Sequence, residues 1–233
     1  MKKLLVCLTG ILVLLTGCST ENANSNSDEN QNAQTSPAEV AEDNNADLEN
    51  NAGADNSVSD ENIIIITLYP DIAPITCENF ENLVSEGFYN GLTFHRVVDD
   101  FMAQGGDPQG TGMGGSSNTI KGEFSSNGVE NDLSHQRGIV SMARSQANDS
   151  ASSQFFICYT DCSFLDGQYA AFGEVTQGME VVDKFLEVPR SLGSDSAISS
   201  PNSPIVMKEV TMIDPDENNN PRVQIIMDDL QTE

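Results

Sequence analysis

"FHRVVDDFMAQGGDP", residues 94–108, is the stretch on which the reading of this sequence turns. Its Arg96 is the only Arg or Lys between Cys18 and Lys121, and it stands among Phe94, Val97, Val98, Phe101 and Met102. A guanidinium stays charged at every physiological pH. Placed in apolar surroundings, with Gln104 and two glycines close behind, it admits two readings. It is either a cation snorkelling to water past ordinary core residues, or a charge set at the edge of a dry pocket where its hydrogen bonds are strengthened.

The strand-like pattern of "LTFHRVV" continues on both sides. Residues 63–69 form a β-branched run ending at a Pro-bounded turn. "GIVSMA" (138–143), "QFFICY" (154–159), "AAFGEV" (170–175) and "IVMKEVTMI" (205–213) have the same character. Two amphipathic helices interrupt them. One starts near Thr76, a candidate cap, carries Phe80, Leu83 and Val84 on one face and ends at Gly87. The other spans Gly178–Glu187, with Met179, Val182 and Phe185 or Leu186 inward. Short strands separated by Gly/Asn/Asp/Ser turns point to a barrel or sandwich. Residues 215–233 read as a mostly polar tail, in which "VQIIM" is at most one short element and is not relied on.

Composition excludes whole classes of function. The chain has 233 residues, 36 acidic against 10 basic, and a formal net charge of -26. Such a surface repels phosphate backbones, so nucleic acid is not an expected partner. "MKKLLVCLTGILVLLTGC" has two lysines, an apolar run too short to span a bilayer comfortably, and small residues before Cys18. It reads as a signal peptide over 1–17, and its Leu15–Cys18 end resembles the bacterial lipobox. That resemblance implies cleavage before Cys18, diacylglycerol and palmitate on it, and an anchor on the extracytoplasmic face of the cell membrane. Residues 19–61 hold no Lys, Arg, Phe, Tyr or Trp. Such a segment cannot offset its chain entropy by burial, so 18–61 is expected to be a disordered tether with a reach of roughly 35 Å.

Two motifs lead elsewhere. Gly110-x-Gly112-x-x-Gly115 matches the dinucleotide fingerprint in letters alone, because no helical pattern follows it to present free N–H groups to a pyrophosphate. Cys158-x-x-x-Cys162 lacks a second Cys pair or a nearby His, so no metal is expected. Cys77, Cys158 and Cys162 are expected to be buried or semi-buried free thiols.

Four segments in order, "FHRVVDDFMAQGGD", "GIVSMAR", "SQFFI" and "FLDGQYAAFGEV", resemble the cyclophilin family of peptidyl-prolyl cis-trans isomerases over about 62–214. The resemblance implies a mainly β fold: a closed eight-stranded antiparallel β-barrel capped by two α-helices. It implies catalytic roles for Arg96 and Gln104 and a proline pocket of Phe101, Met102, Phe156 and Leu165. It further implies substrate contacts from the backbone at Ala143 and Arg144 and from Gln154, with Phe164 and Tyr169 on the rim. Where many eukaryotic members have Trp, His and Asn, this chain has Phe164, Tyr169 and Arg144, as bacterial members do. Phe164 lacks an indole N–H donor, so cyclosporin binding is expected to be weak. Rotation about an X–Pro bond breaks no covalent bond, so no cofactor is expected. The implied partners are proline-containing unfolded or newly exported polypeptides, handled by a monomer. The competing reading is a non-catalytic proline-peptide module or holdase on the same barrel. Asp99, Asp100 and Gln104 are all candidates to steady the Arg96 fork.

Overall fold

The computed structural model of the chain describes residues 62–232. The signal peptide, the lipid on Cys18 and the tether all lie outside the described residues.

The described residues form ten strands and two α-helices: β1 (Ile63–Leu68), α1 (Pro74–Ser85), β2 (Thr93–Val98), β3 (Met102–Asp107), β4 (Ile139–Met142), β5 (Phe155–Cys158), β6 (Ala171–Gln177), α2 (Met179–Lys184), β7 (Arg190–Leu192), β8 (Ile198–Pro201), β9 (Met207–Ile213) and β10 (Arg222–Met227). Eight of them make one antiparallel sheet in the order β2-β3-β5-β4-β6-β1-β10-β9, and β7 and β8 form a separate hairpin.

The expected closed barrel is corrected to a curled sheet with an open seam. The edge strands β2 and β9 meet only at their starts, through an isolated bridge between Thr93 and Val206. The Phe94 N–H donates to Ile205 O at 2.9 Å, and the Met207 N–H to Leu92 O at 2.8 Å. Beyond that point β2 diverges from β9 and meets the β7–β8 hairpin, where Arg190 Nη1 donates to Val97 O at 3.2 Å.

The polar-tail reading of 215–233 also needs correction. Strand β10 lies inside the sheet, pairing β1 on one side (Ile65 opposite Gln224) and β9 on the other (Ile225 opposite Val210). Its alternation is regular: Val223, Ile225 and Met227 are buried, and Gln224 and Ile226 are not.

The main core lies inside the curl. Phe80 of α1 sits among Tyr89, Phe155 and Phe172, with ring centroids 5.0–5.3 Å away. Helix α1 follows its predicted face, with Phe80, Leu83 and Val84 buried, and Gly87 adopts φ +70° just past its end. Its start differs from expectation. Thr76 is not the cap; the helix begins at Pro74, two residues earlier, with no side-chain cap of its own. The free donors of its first turn are met by buried Glu123, which accepts from the Ile75 N–H (3.0 Å), the Thr76 N–H (2.7 Å) and the Thr76 hydroxyl (2.7 Å). A carboxylate here also opposes the positive end of the helix dipole. Helix α2 buries Val181, Val182 and, in the 3₁₀ turn that follows, Phe185.

Candidate active site

Strand alternation builds a second apolar cluster on the other face of the sheet. Ala103, Phe155 and Ile157 point into the main core, so Met102, Phe156 and Cys158 point out of it. They join Cys162 and Leu165, with Val98, Phe101, Ala143 and Tyr169 partly buried at the margin. Strand register then lays one row across four strands. Arg96 pairs with Gln104, Gln104 with Phe156, and Phe156 with Ser141. One transverse row of an antiparallel sheet therefore holds a cation, an amide, an aromatic ring and a hydroxyl.

The guanidinium is held at the edge of this apolar dish and turned toward it. Arg96 Nη1 donates to Gln104 Oε1 at 3.3 Å and lies 3.8 Å from Met102 Sδ, and the Arg96 Cζ stands 5.8 Å from the Phe101 ring centroid. Nε donates to Asp195 Oδ2 at 2.7 Å. The Nη2 group has no hydrogen bond to the described residues. Of the three candidates for steadying the fork, Gln104 does so. Asp99 instead pairs with Arg190 at 2.8 Å, and Asp100 sits in the β2–β3 turn at φ +55°. Asp195 was not legible in sequence. It lies 99 positions from Arg96, in "GSDSAIS", and no local pattern marks it. The only available signal was general: a half-buried cation needs an anion.

A directed chain of amides extends the row. Gln104 Nε2 donates to Gln154 Oε1, and Gln154 Nε2 donates to Gly114 O, both at 2.8 Å. Gly114 belongs to the glycine-rich loop, which folds around Asp107. The buried Asp107 carboxylate accepts the N–H groups of Gln109, Thr111, Gly112 and Gly114 at 2.7–3.2 Å. Burial pushes its pKa up, but those backbone donors outweigh burial and leave it below the usual carboxylate range.

Behind Phe156 lies a polar trio that sequence reasoning did not assemble. The His135 ring stacks on Phe156 at 6.0 Å and 14°. Its Nδ1 is 2.7 Å from Asp166 Oδ1, and its Nε2 is 3.0 Å from Ser141 Oγ. Burial lowers the His135 pKa, and the hydrogen bond and charge of Asp166 recover only part of that. Ser141 is completely buried, so this Ser-His-Asp arrangement braces the pocket wall and meets no substrate.

The remaining predicted residues gather at the rim. Leu165 is buried in the dish, while Phe164 is 64% exposed and its ring centroid lies 5.7 Å from that of Phe101. Tyr169 meets Phe156 edge-on at 6.0 Å. The Ala143 N–H donates to Gln154 O at 2.9 Å. The Arg144 side chain is committed to the neighbouring β5–β6 loop, donating from Nε and Nη2 to Gln168 O at 3.0 and 2.8 Å and stacking over Tyr169 at 4.7 Å. Every site residue predicted from sequence within 62–232 therefore lies in or around this one dish.

A model of the cyclophilin type peptidyl-prolyl cis-trans isomerase/CLD family matches residues 54–212. The chain belongs to the cyclophilin family. This cyclophilin is 45% identical over 128 residues to a peptidyl-prolyl cis-trans isomerase of Helicobacter pylori, covering 54% of this chain and 75% of that one. It is 47% identical over 123 residues to peptidyl-prolyl cis-trans isomerase B of Bacillus subtilis, covering 53% and 82%. Among solved structures it is similar to a Cryptosporidium parvum cyclophilin type peptidyl-prolyl cis-trans isomerase crystallised in the presence of the dipeptide Ala-Pro. The TM-score is 0.56 and the identity 28%, over 72% of this chain and 99% of that one. The family match ends at residue 212, so β10 of this cyclophilin lies beyond it.

Proposed function

We propose that this cyclophilin accelerates cis-trans isomerisation of X–Pro peptide bonds, with Arg96 as the catalytic donor. The reading follows from the reaction. The barrier to rotation, about 18–20 kcal/mol, comes from sharing the nitrogen lone pair with the carbonyl. In the twisted transition state that sharing is lost, and the prolyl nitrogen becomes pyramidal and more basic. A protein speeds the reaction only through contacts stronger in that state. The dish of Phe101, Met102, Phe156 and Leu165 grips the proline ring. Arg96 Nη2, the guanidinium nitrogen with no bond to the described residues, donates to the prolyl nitrogen as conjugation fails. Gln104, Gln154 and the backbone at Ala143–Arg144 hold one side of the peptide while the other turns.

Magnitudes divide the work. A rate gain of about 10⁵ requires roughly 7 kcal/mol of preference for the twisted state. One charge-assisted hydrogen bond supplies about 1.5–3 kcal/mol, so pocket fit, positioning and exclusion of water supply the larger share. The observation that carries the reading is the register row Arg96–Gln104–Phe156, which sets a fixed cation beside an apolar dish.

The deciding experiment is an isomerisation assay on a short X–Pro peptide. Wild type is expected to be active, and Arg96→Ala to lose more than tenfold in kcat/KM without unfolding. Undiminished activity in the variant would overturn the role of Arg96. An inactive wild type that still binds proline peptides would favour the non-catalytic module.

The clients we propose are unfolded, newly exported polypeptides, met at the outer face of the cell membrane by a monomer anchored through lipid on Cys18. The lipobox-like end of the N-terminal apolar run supports that placement. Detergent partitioning of wild type against Cys18→Ala tests it: equal partitioning of the two into the aqueous phase sinks the anchor.

A further inference from the structure

We propose that Asp195, at the turn of the β7–β8 hairpin, is a positioning residue for isomerisation, clamping Arg96 by its Nε so that only Nη2 remains for substrate. The inference rests on the isomerase reading above. An arginine's guanidinium has three nitrogens on a long, flexible stem, so one partner does not fix which edge it presents. Here two are occupied: Nη1 by Gln104 at 3.3 Å and Nε by Asp195 at 2.7 Å. With both held, the guanidinium plane is set and its last donor is directed.

The hairpin is shaped to deliver this carboxylate. Asp195 divides its oxygens between two tasks. Oδ1 accepts the Ala197 N–H at 3.0 Å and the Ser199 hydroxyl at 2.7 Å, which fold the turn. Oδ2 is left to Arg96. The turn is closed by the Gly193 N–H on Ala197 O at 2.8 Å, and Ser196 accepts φ +63° within it. Ser199 is buried although the flanking Ile198 is exposed, so the inner face of the hairpin is the one turned to Asp195. The carboxylate stays ionised at neutral pH. Burial raises its pKa, but the bonds from Arg96, Ser199 and Ala197, with the guanidinium charge, more than reverse that and leave it below the ordinary range.

This division of labour gives a clean test. Asp195→Asn keeps an oxygen for Ala197 and Ser199 but turns an NH₂ toward the Arg96 Nε–H, so donor faces donor. In the full-length protein, kcat on an X–Pro peptide is expected to fall at least tenfold with KM within twofold. The Arg96 Nε–H resonance, identified by its absence in Arg96→Lys, is expected to lose its protection from exchange. Asp195→Glu is expected to restore the resonance and most of kcat. Ser199→Ala, which loosens the turn and leaves the clamp, is expected to stay within threefold of wild type. Activity of Asp195→Asn within twofold of wild type overturns the proposal, as does a loss confined to KM or an equal loss in Ser199→Ala. These results are separable from failure of the isomerase reading, which would show as an inactive wild type or a fully active Arg96→Ala.

Discussion

Replacing Glu123 with Ala perturbs a single carboxylate and leaves the site face of the sheet intact. Glu123 is 1% exposed and accepts three hydrogen bonds at the start of α1, two of them from completely buried Thr76. The Ile75 N–H belongs to an exposed residue and can turn to water. The two Thr76 donors cannot, and an orphaned buried donor costs about 1–3 kcal/mol. Release from burying a carboxylate offsets part of this. The net loss is therefore about 2–4 kcal/mol, against a total stability of about 5–15 kcal/mol for a domain. With a urea m-value of about 2 kcal/mol/M, the midpoint falls by about 1–2 M. Urea titration followed by far-UV circular dichroism measures it. Glu123→Gln, which retains one carbonyl oxygen, is expected to fall between wild type and Ala, and Thr76→Val to lose about 1 kcal/mol. A Glu123→Ala variant within 1 kcal/mol of wild type would refute the account of how this helix begins.

Other expectations concern the site. Burial pushes the Cys77 thiol up to about 12 and raises Cys158 and Cys162 as well. Iodoacetamide at pH 8 is therefore expected to modify none of these three in the folded protein and all of them in urea, as read by mass spectrometry. His135 and His95 both have pKa values lowered by burial, so the unfolded chain binds protons more readily than the folded one below about pH 6.5. Stability is thus complete above that pH and declines as pH falls toward the folded values; denaturation midpoints that rise from pH 7 to pH 5 would contradict this sign. Phe164→Ser removes an exposed ring and is expected to change stability by less than about 0.5 kcal/mol while raising KM for peptides with apolar flanks. Phe164→Trp supplies an indole N–H at the rim and is expected to tighten cyclosporin binding, measured by calorimetry.

The site was more legible than the frame that supports it. Arg96, Gln104, Phe101, Met102, Phe156 and Leu165 lie within short motifs, so residue order alone fixed their neighbourhood. Strand β3 was harder to see because its glycines weaken the strand pattern. They answer to space: a Cβ on Gly106 would lie 2.5 Å from Ser153 O, and one on Gly105 would lie 3.0 Å from Thr93 O. Strand β10 did carry its alternation, in "RVQIIM", but stood alone in polar sequence where nothing local says which strands it joins. The seam at Thr93–Val206 and the Arg96–Asp195 and Thr76–Glu123 contacts depend on residues 47 to 113 positions apart, which no sequence window spans. The helix cap shows the same limit. Thr76 has the right chemistry for a cap, but the chain supplies a better acceptor from a distant loop.

Because β1, the first strand of the sheet, has β10, the last, as one of its neighbours, the sheet is complete only when the two ends of the folded region have met. A product cut short before residue 222 would bare a flank of β1 and a flank of β9, two unsatisfied backbone rows with isoleucines and valines between them. Incomplete copies would thus carry their own label for aggregation or for proteases, and only a chain that includes residues 222–227 could hide it.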